Sequence, residues 1–159
     1  MIASVLSQKY KVLKTAGNFN NEIGLPLTLL RIRKEHQAAV VEMGISDFGE
    51  MHRLAKMARP DICVITNIGI CHLENLKSRD GILKAKSEIF DYLKPEGHIV
   101  LNGEDEKLAT IIVKNLQTAA LHKIAAPSNG LYLLNSCLNI QKLHIKRKSR
   151  GHGTSILFC

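Results

Sequence analysis

Residues 63–90 read CVITNIGICHLENLKSRDGILKAKSEIF, and the order of residue types in this stretch decides the fold class. The apolar, β-branched run Val64, Ile65, Thr66 passes into Asn67 and a glycine, the composition of a buried strand entering a loop. That loop presents His72 and Glu74. Ser78 then stands where an N-cap belongs, and a helical pattern continues to about Leu93. Polar groups at the carboxyl end of a parallel strand are where open α/β sheets take their ligands.

One residue of the helix breaks its pattern. Ile82, Ile89, Phe90 and Leu93 form an apolar stripe, and Lys86 falls on it, four residues after Ile82 and three before Ile89. A lysine on a buried face is costly unless it is paired, neutral or modified, because desolvation disfavours the ammonium. The plainer alternative is a stem packed on the core with the ammonium snorkelling to water. The pattern alone leaves both open.

The remaining α/β signals flank this stretch. Residues 2–10 predict a helix with Ile2, Val5 and Leu6 on one side, and residues 11–15 a short strand. The loop AGNFNNEIGLP (16–26) is dense in Gly and Asn, which tolerate positive φ and bond their own backbone. Pro26 suits the first turn of a helix carrying Leu27, Leu29, Leu30 and Ile32. Residues 38–43 form an almost wholly apolar strand, interrupted near its end by Glu42, which reads either as a solvent-facing glutamate or as a carboxylate at the strand end. A helix over 47–58 carries Phe48, Met51, Leu54, Ala55 and Ala58, and Pro60 stops it. Residues 98–102 are another apolar strand ending in the polar loop NGEDE, followed by a helix over about 105–116 and a further strand at 121–125.

This alternation predicts a three-layer α/β architecture around a sheet of mainly parallel strands. Right-handed crossovers place the polar strand ends, Glu42, Asn67 with His72, and Asn102, on one rim. A carboxylate, an imidazole and an asparagine there suit a hard divalent cation and a nucleotide.

The totals exclude several classes. A chain of 159 residues is one domain with a real core, and 45% apolar with 23% charged residues is a globular composition. No apolar run approaches the roughly 20 residues of a membrane span, and the start lacks a secretory cleavage pattern. Cys63, Cys71, Cys137 and Cys159 lack CxxC spacing, which argues for reduced cytosolic thiols over a disulfide frame or zinc site. The net charge of +8 is concentrated late: residues 128–159 hold 5 Lys and Arg and no acid. Aromatics are 4% and tryptophan is absent, so base-stacking platforms are poorly supplied.

Taken in order, TAGNFNNEIGLPLTLL, VVEMGIS, TNIGICHLENL, AKSEIF and LNGEDE resemble the central domain of the bacterial Mur ligases, over roughly residues 1–125. The Asn-rich loop is most similar to the members that join D-alanyl-D-alanine to UDP-N-acetylmuramoyl-tripeptide. The resemblance implies a P-loop-type domain of an ATP- and Mg²⁺-dependent amide ligase of peptidoglycan synthesis, which passes the γ-phosphate to a carboxylate before an amine attacks. Glu42 and His72 match the family's metal-ligand positions, and Lys86 matches the lysine that relatives carbamylate, where it helps place a second Mg²⁺. Asn102 matches the asparagine against the adenine. Asn20 and Asn21 sit in the loop that in relatives faces the phosphates and the muramyl substrate. On this reading Asn67 orders the loop before His72, and Glu74 is loop structure.

Two departures temper the likeness. No G-x-x-x-x-G-K-[ST] phosphate loop occurs in the sequence, and residues 128–159 follow no family pattern. The expected organisation is a partial central ATP-binding domain over 1–127 and a basic tail over 128–159, inactive alone without the phosphate loop and flanking domains. A non-catalytic Mg²⁺- or nucleotide-binding module is one rival. A second is another amide ligase of the superfamily, such as a folylpolyglutamate synthase, against which the Asn-rich loop argues. The tail segment KLHIKRKSR reads as a solvated basic strand or tail, or as a shifted reading frame. A nucleic-acid contact there has the least support, since a short basic run is weak evidence.

Overall fold

A computed structural model of the chain describes residues 1–111, 120–124 and 155–158. Successive residues of a strand face opposite sides of a sheet, and here both sides are apolar. In β2 (Ala38–Val41), Ala39 and Val41 join one core while Val40 joins a second. β3 (Ile62–Ile65) divides Cys63 and Ile65 from Ile62 and Val64, and β4 (His98–Asn102) divides Ile99 and Leu101 from Val100. Strands buried on both faces belong to parallel sheets covered on both sides.

The sheet order is β1-β2-β6-β3-β4-β5, with β1 at Val12–Lys14, β5 at Ala120–Ile124 and β6 at Ser155–Phe158, and every pairing is parallel. From β1 to β5 the chain steps across the sheet in one direction, so right-handed crossovers put the connecting helices on one face. That face holds the larger core, where α2 (Gly24–Leu29), α3 (Glu50–Ala58), α4 (Leu73–Leu76), α5 (Arg79–Ser87), the 3₁₀ turn Glu88–Tyr92 and α6 (Glu106–Ala109) place Leu25, Leu54, Leu76, Ile82, Ile89 and Leu108. Among the described helices only α1 (Ile2–Leu6) covers the other face, packing Ala3 and Leu6 on Val40, Ile62, Val64 and Val100. Among the described residues the three layers are present, with α1 alone facing the smaller core.

Several elements differ from the sequence expectation. α2 begins at Gly24, two residues before Pro26, and buries Leu25 and Thr28, while Leu27 and Leu30 stay largely exposed at 49% and 73%. The leucine-rich spelling concealed which side faces the core. α3 starts at Glu50 rather than Asp47, because Gly49 takes a left-handed conformation (φ 79°) and Glu88 accepts its N–H, leaving Phe48 outside the helix. α5 tightens into the 3₁₀ turn before Leu93, and Glu74 lies in the one-turn α4 rather than in a loop. The last segment contributes β6, for which the sequence predicts no element. It pairs along four residues of β2 and two of β3, in the slot that the β2–α3–β3 crossover strides over. α6 ends at Ala109, with Thr110 as its C-cap, well short of the expected 116; residues 112–119 and 142–150 lie outside the described residues.

Leu54 is fully buried where α3 meets the sheet. Leu54→Ala should lower unfolding free energy by about 2–5 kcal/mol, read as a reduced urea midpoint at unchanged slope. A change under about 0.5 kcal/mol, the usual size for a surface substitution, would contradict this packing.

Candidate functional site

Glu42 follows the last residue of β2, where the strand leaves the core and its side chain becomes exposed. Its N–H donates to Thr15 Oγ1 at 2.9 Å, tying it to the end of β1, and its Oε1 accepts from Asn20 Nδ2 at 2.9 Å. Asn20 and Asn21 have different roles. Asn21 Oδ1 accepts from the N–H groups of Ile23 (3.1 Å) and Gly24 (2.8 Å), closing an Asx turn that starts α2. Asn20 instead accepts the Gly44 N–H on its carbonyl at 2.8 Å and sends its carboxamide to Glu42. At the start of α2 the backbone of Gly24 packs on Phe19 closely enough to require glycine: a Cβ on Gly24 would stand 2.4 Å from Phe19 Cα.

Lys86 lies one helical turn beyond Ile82, which is 3% exposed, so its stem starts in the core. The Nζ donates to the Asn67 carbonyl at 3.0 Å, at the carboxyl end of β3. Burial lowers the pKa below the ordinary lysine value, and the negative charges available at Cys71 and Asp105 offset only part of that. The two readings of this residue thus meet halfway. The head does leave the core, but it reaches a neutral carbonyl.

Two cavities flank these groups. One of about 310 Å³ is lined by Glu42, Met43, Thr66 and Lys86 together with apolar side chains of β3, α3 and the 3₁₀ turn. A second of about 520 Å³ is lined by Asn20, Asn21, Glu22, Gly44, Ser46, Glu50 and His72. Glu42 and Lys86 therefore share one cavity, while His72 lies in the other with Asn20 and Asn21. The Asn20–Glu42 hydrogen bond joins the two. His72 holds a left-handed conformation (φ 61°) as the N-cap residue of α4, a strained position of order 1–3 kcal/mol. Asn102 ends β4 on the same rim; its Oδ1 accepts the Glu104 N–H at 3.0 Å, and it lines neither cavity. The Asn67 backbone carbonyl accepts from Lys86 Nζ, and its side-chain Oδ1 accepts from Thr66 Oγ1 at 3.4 Å.

Asp105 and Arg79 belong to the site's frame and were not among the sequence candidates. Asp105 Oδ1 caps α6 by accepting from Lys107 N (2.9 Å) and Leu108 N (3.0 Å), while Oδ2 accepts from Ile68 N at 2.9 Å. Desolvation pushes its pKa up, but the N–H groups of Ile68, Leu108 and Lys107, with the Arg79 charge, outweigh that and hold the carboxyl below its usual range. The sequence signal for Asp105 was its N-cap position. Nothing local announces a bond to Ile68, which is 37 residues away.

A hard cation of the magnesium type takes one or two carboxylates and completes its shell with water and phosphate oxygens. Glu42 offers such a carboxylate beside the Lys86 cavity, and among the described residues no group of three or more His, Cys, Asp and Glu forms a metal cage. The donors fit a cation arriving with a polyphosphate better than a free-standing metal centre. Among the described residues no helix is long and apolar enough to cross a membrane.

A parallel sheet with polar loops and a cationic side chain at its carboxyl rim is the architecture of an α/β nucleotide-handling domain. The family profile described as the Mur ligase middle domain matches residues 1–153, and the chain belongs to that family. It is 49% identical over 108 residues to the UDP-N-acetylmuramoyl-tripeptide–D-alanyl-D-alanine ligase of Bacillus subtilis, covering 68% of this chain and 24% of the relative. The ligase of the same name from Escherichia coli is 41% identical over 105 residues, covering 66% of this chain and 23% of the relative. A crystal structure of MurF from Acinetobacter baumannii superposes with a TM-score of 0.70 at 38% identity, covering 76% of this chain and 26% of that one. MurF from Thermotoga maritima, solved in complex with ADP, gives 0.65 at 34% identity, covering 76% and 27%. The chain thus spans about a quarter of the length of these relatives.

The lowered Lys86 pKa has a defined sign in solution. Trace acetylation read by mass spectrometry should modify Lys86 with a midpoint below that of a free lysine side chain, about pH 10.4. The unfolded chain binds the extra proton between those two values, so stability should rise with pH across that window. A Lys86→Met variant should lack that slope. A Lys86 midpoint at or above the free-lysine value would contradict the burial.

Proposed function

We propose that this chain is the middle segment of a UDP-N-acetylmuramoyl-tripeptide–D-alanyl-D-alanine ligase working in the cytoplasm. The supporting observation is that Glu42 and Lys86 share one cavity on the carboxyl rim of the sheet, in a chain 49% identical to a ligase of that name. On this reading the tripeptide carboxylate attacks the γ-phosphorus of ATP and ADP departs. The amine of D-alanyl-D-alanine then displaces phosphate from the acyl-phosphate to give the amide.

That sequence must hold a polyphosphate and a carboxylate, both anions, within reacting distance. Glu42 would hold Mg²⁺ together with phosphate oxygens, with His72 from the adjoining cavity, and the ion would supply charge neutralisation. Protonated Lys86 would attract a phosphate oxygen. Deprotonated, its amine would add to CO₂ with loss of a proton, and the resulting carbamate would give the cavity a second carboxylate-like donor beside Glu42. Asn20, bonded to Glu42, would fix that carboxylate's direction, and the Asn21 turn would shape the wall of the cavity that takes the muramyl peptide. Asn102 would lie against the adenine.

Titration calorimetry should detect weak, Mg²⁺-dependent ADP binding by the 159-residue chain, and Glu42→Ala should abolish the Mg²⁺ dependence. Binding unchanged in Glu42→Ala would sink the assignment. With no G-x-x-x-x-G-K-[ST] in these residues, the chain by itself should release no phosphate from ATP in the presence of both substrates. Detectable amide formation by the purified polypeptide would overturn that expectation.

A further inference from the structure

Two consecutive peptide units after β3 are held by three charged side chains. The Asn67 carbonyl accepts from Lys86 Nζ at 3.0 Å, the Ile68 N–H donates to Asp105 Oδ2 at 2.9 Å, and the Ile68 carbonyl accepts from Arg79 Nε at 3.2 Å. Ile68 itself is 2% exposed, so its peptide groups have little recourse to water. The partners come from two elements: Lys86 from the last turn of α5 and Arg79 from its first residue, and Asp105 from the cap of α6. Arg79 also pairs with Glu106, next to Asp105, which closes the arrangement on itself.

We propose that Asp105 and Arg79 are positioning residues that fix the Asn67–Ile68 peptides and thereby set where the Lys86 ammonium stands. Among the described residues the lysine has one carbonyl partner, and that carbonyl moves with the peptide plane that Asp105 and Arg79 clamp. Asp105 also ends the Asn102–Asp105 loop, whose Asp105 N–H is bonded to the Asn102 carbonyl at 3.4 Å. The latch therefore links the end of β4 to the end of β3. Its weight for ligation rests on the proposed function above, while its geometry does not.

Asp105→Asn separates the two duties of the carboxylate. The single carbonyl oxygen of asparagine can still cap α6, but the NH₂ left facing Ile68 N–H cannot accept from it. The test is the ¹³Cε–¹⁵Nζ NMR signal of Lys86 in lysine-labelled 159-residue chain, with amide exchange of Ile68 and Mg²⁺·ADP titration alongside. Asp105→Asn should speed Ile68 exchange, move the Lys86 signal toward those of exposed lysines, and weaken Mg²⁺·ADP by about tenfold, as loss of a supporting shell does. Arg79→Lys, which keeps a charge for Glu106 but loses the Nε donor, should move the same signal. Leu108→Ala, which truncates a buried α6 side chain but keeps the N–H that Asp105 Oδ1 accepts, should not. Faster Ile68 exchange with an unmoved Lys86 signal would overturn the proposal. A moved Lys86 signal in a chain whose wild type binds no Mg²⁺·ADP would uphold the latch and defeat the functional assignment.

Discussion

A strand buried on both faces can release its polar groups only at its ends, and this constraint organises the molecule. β2 and β3 are apolar throughout and fully buried. Parallel pairing then puts the exit of each strand on one rim, and the residues found there are Glu42, Thr66 with Asn67, and Asn102. Helix α5 adds cationic groups from beneath, Lys86 and Arg79. Lys86 leaves the α5 stripe because its ammonium cannot stay among Ile82, Ile89 and Met51, and the nearest exit leads to the Asn67 carbonyl. The chemistry of the site follows from the packing of the sheet.

The rim is held by loops that brace one another. Thr15 holds the Glu42 backbone, Asn20 holds its carboxylate, and Asp105 and Arg79 hold the turn that receives Lys86. Glu50, on the wall of the larger cavity, accepts from Ser46 and Asp47, and Glu88 of the 3₁₀ turn accepts from Gly49 and His52 at the start of α3. Such braces let a site of few residues keep its geometry, with no metal cage among the described residues.

Much of this was legible in the residues. The β-branched runs ending in Glu42, Asn67 and Asn102 located three strands and their shared rim, and Lys86 marked itself by sitting on an apolar stripe. What escaped was non-local. Ser155–Phe158 is too short to show a period, and its place between β2 and β3 depends on a pairing with no sequence signature. The division of work between Asn20 and Asn21 depends on which amide meets Gly44 and which meets Gly24. His72 lines the cavity next to the one that holds Glu42, a placement that depends on the loop after β3 and that no local pattern announces. α2 was misjudged because leucines on both sides of a short helix carry no period to read.

If Glu42 and Lys86 mark where a metal-bound polyphosphate sits, a paramagnetic ion carried there by nucleotide must act on the residues around them. Mn²⁺ is a paramagnetic stand-in for Mg²⁺, and its relaxation effect falls steeply with distance. Titrating Mn²⁺·ADP into ¹⁵N-labelled chain should broaden the amides of Glu42, Met43, Thr66 and Asn67 first, and adding excess Mg²⁺ should restore them. Broadening centred away from these residues, or none at stoichiometric nucleotide, would contradict the account.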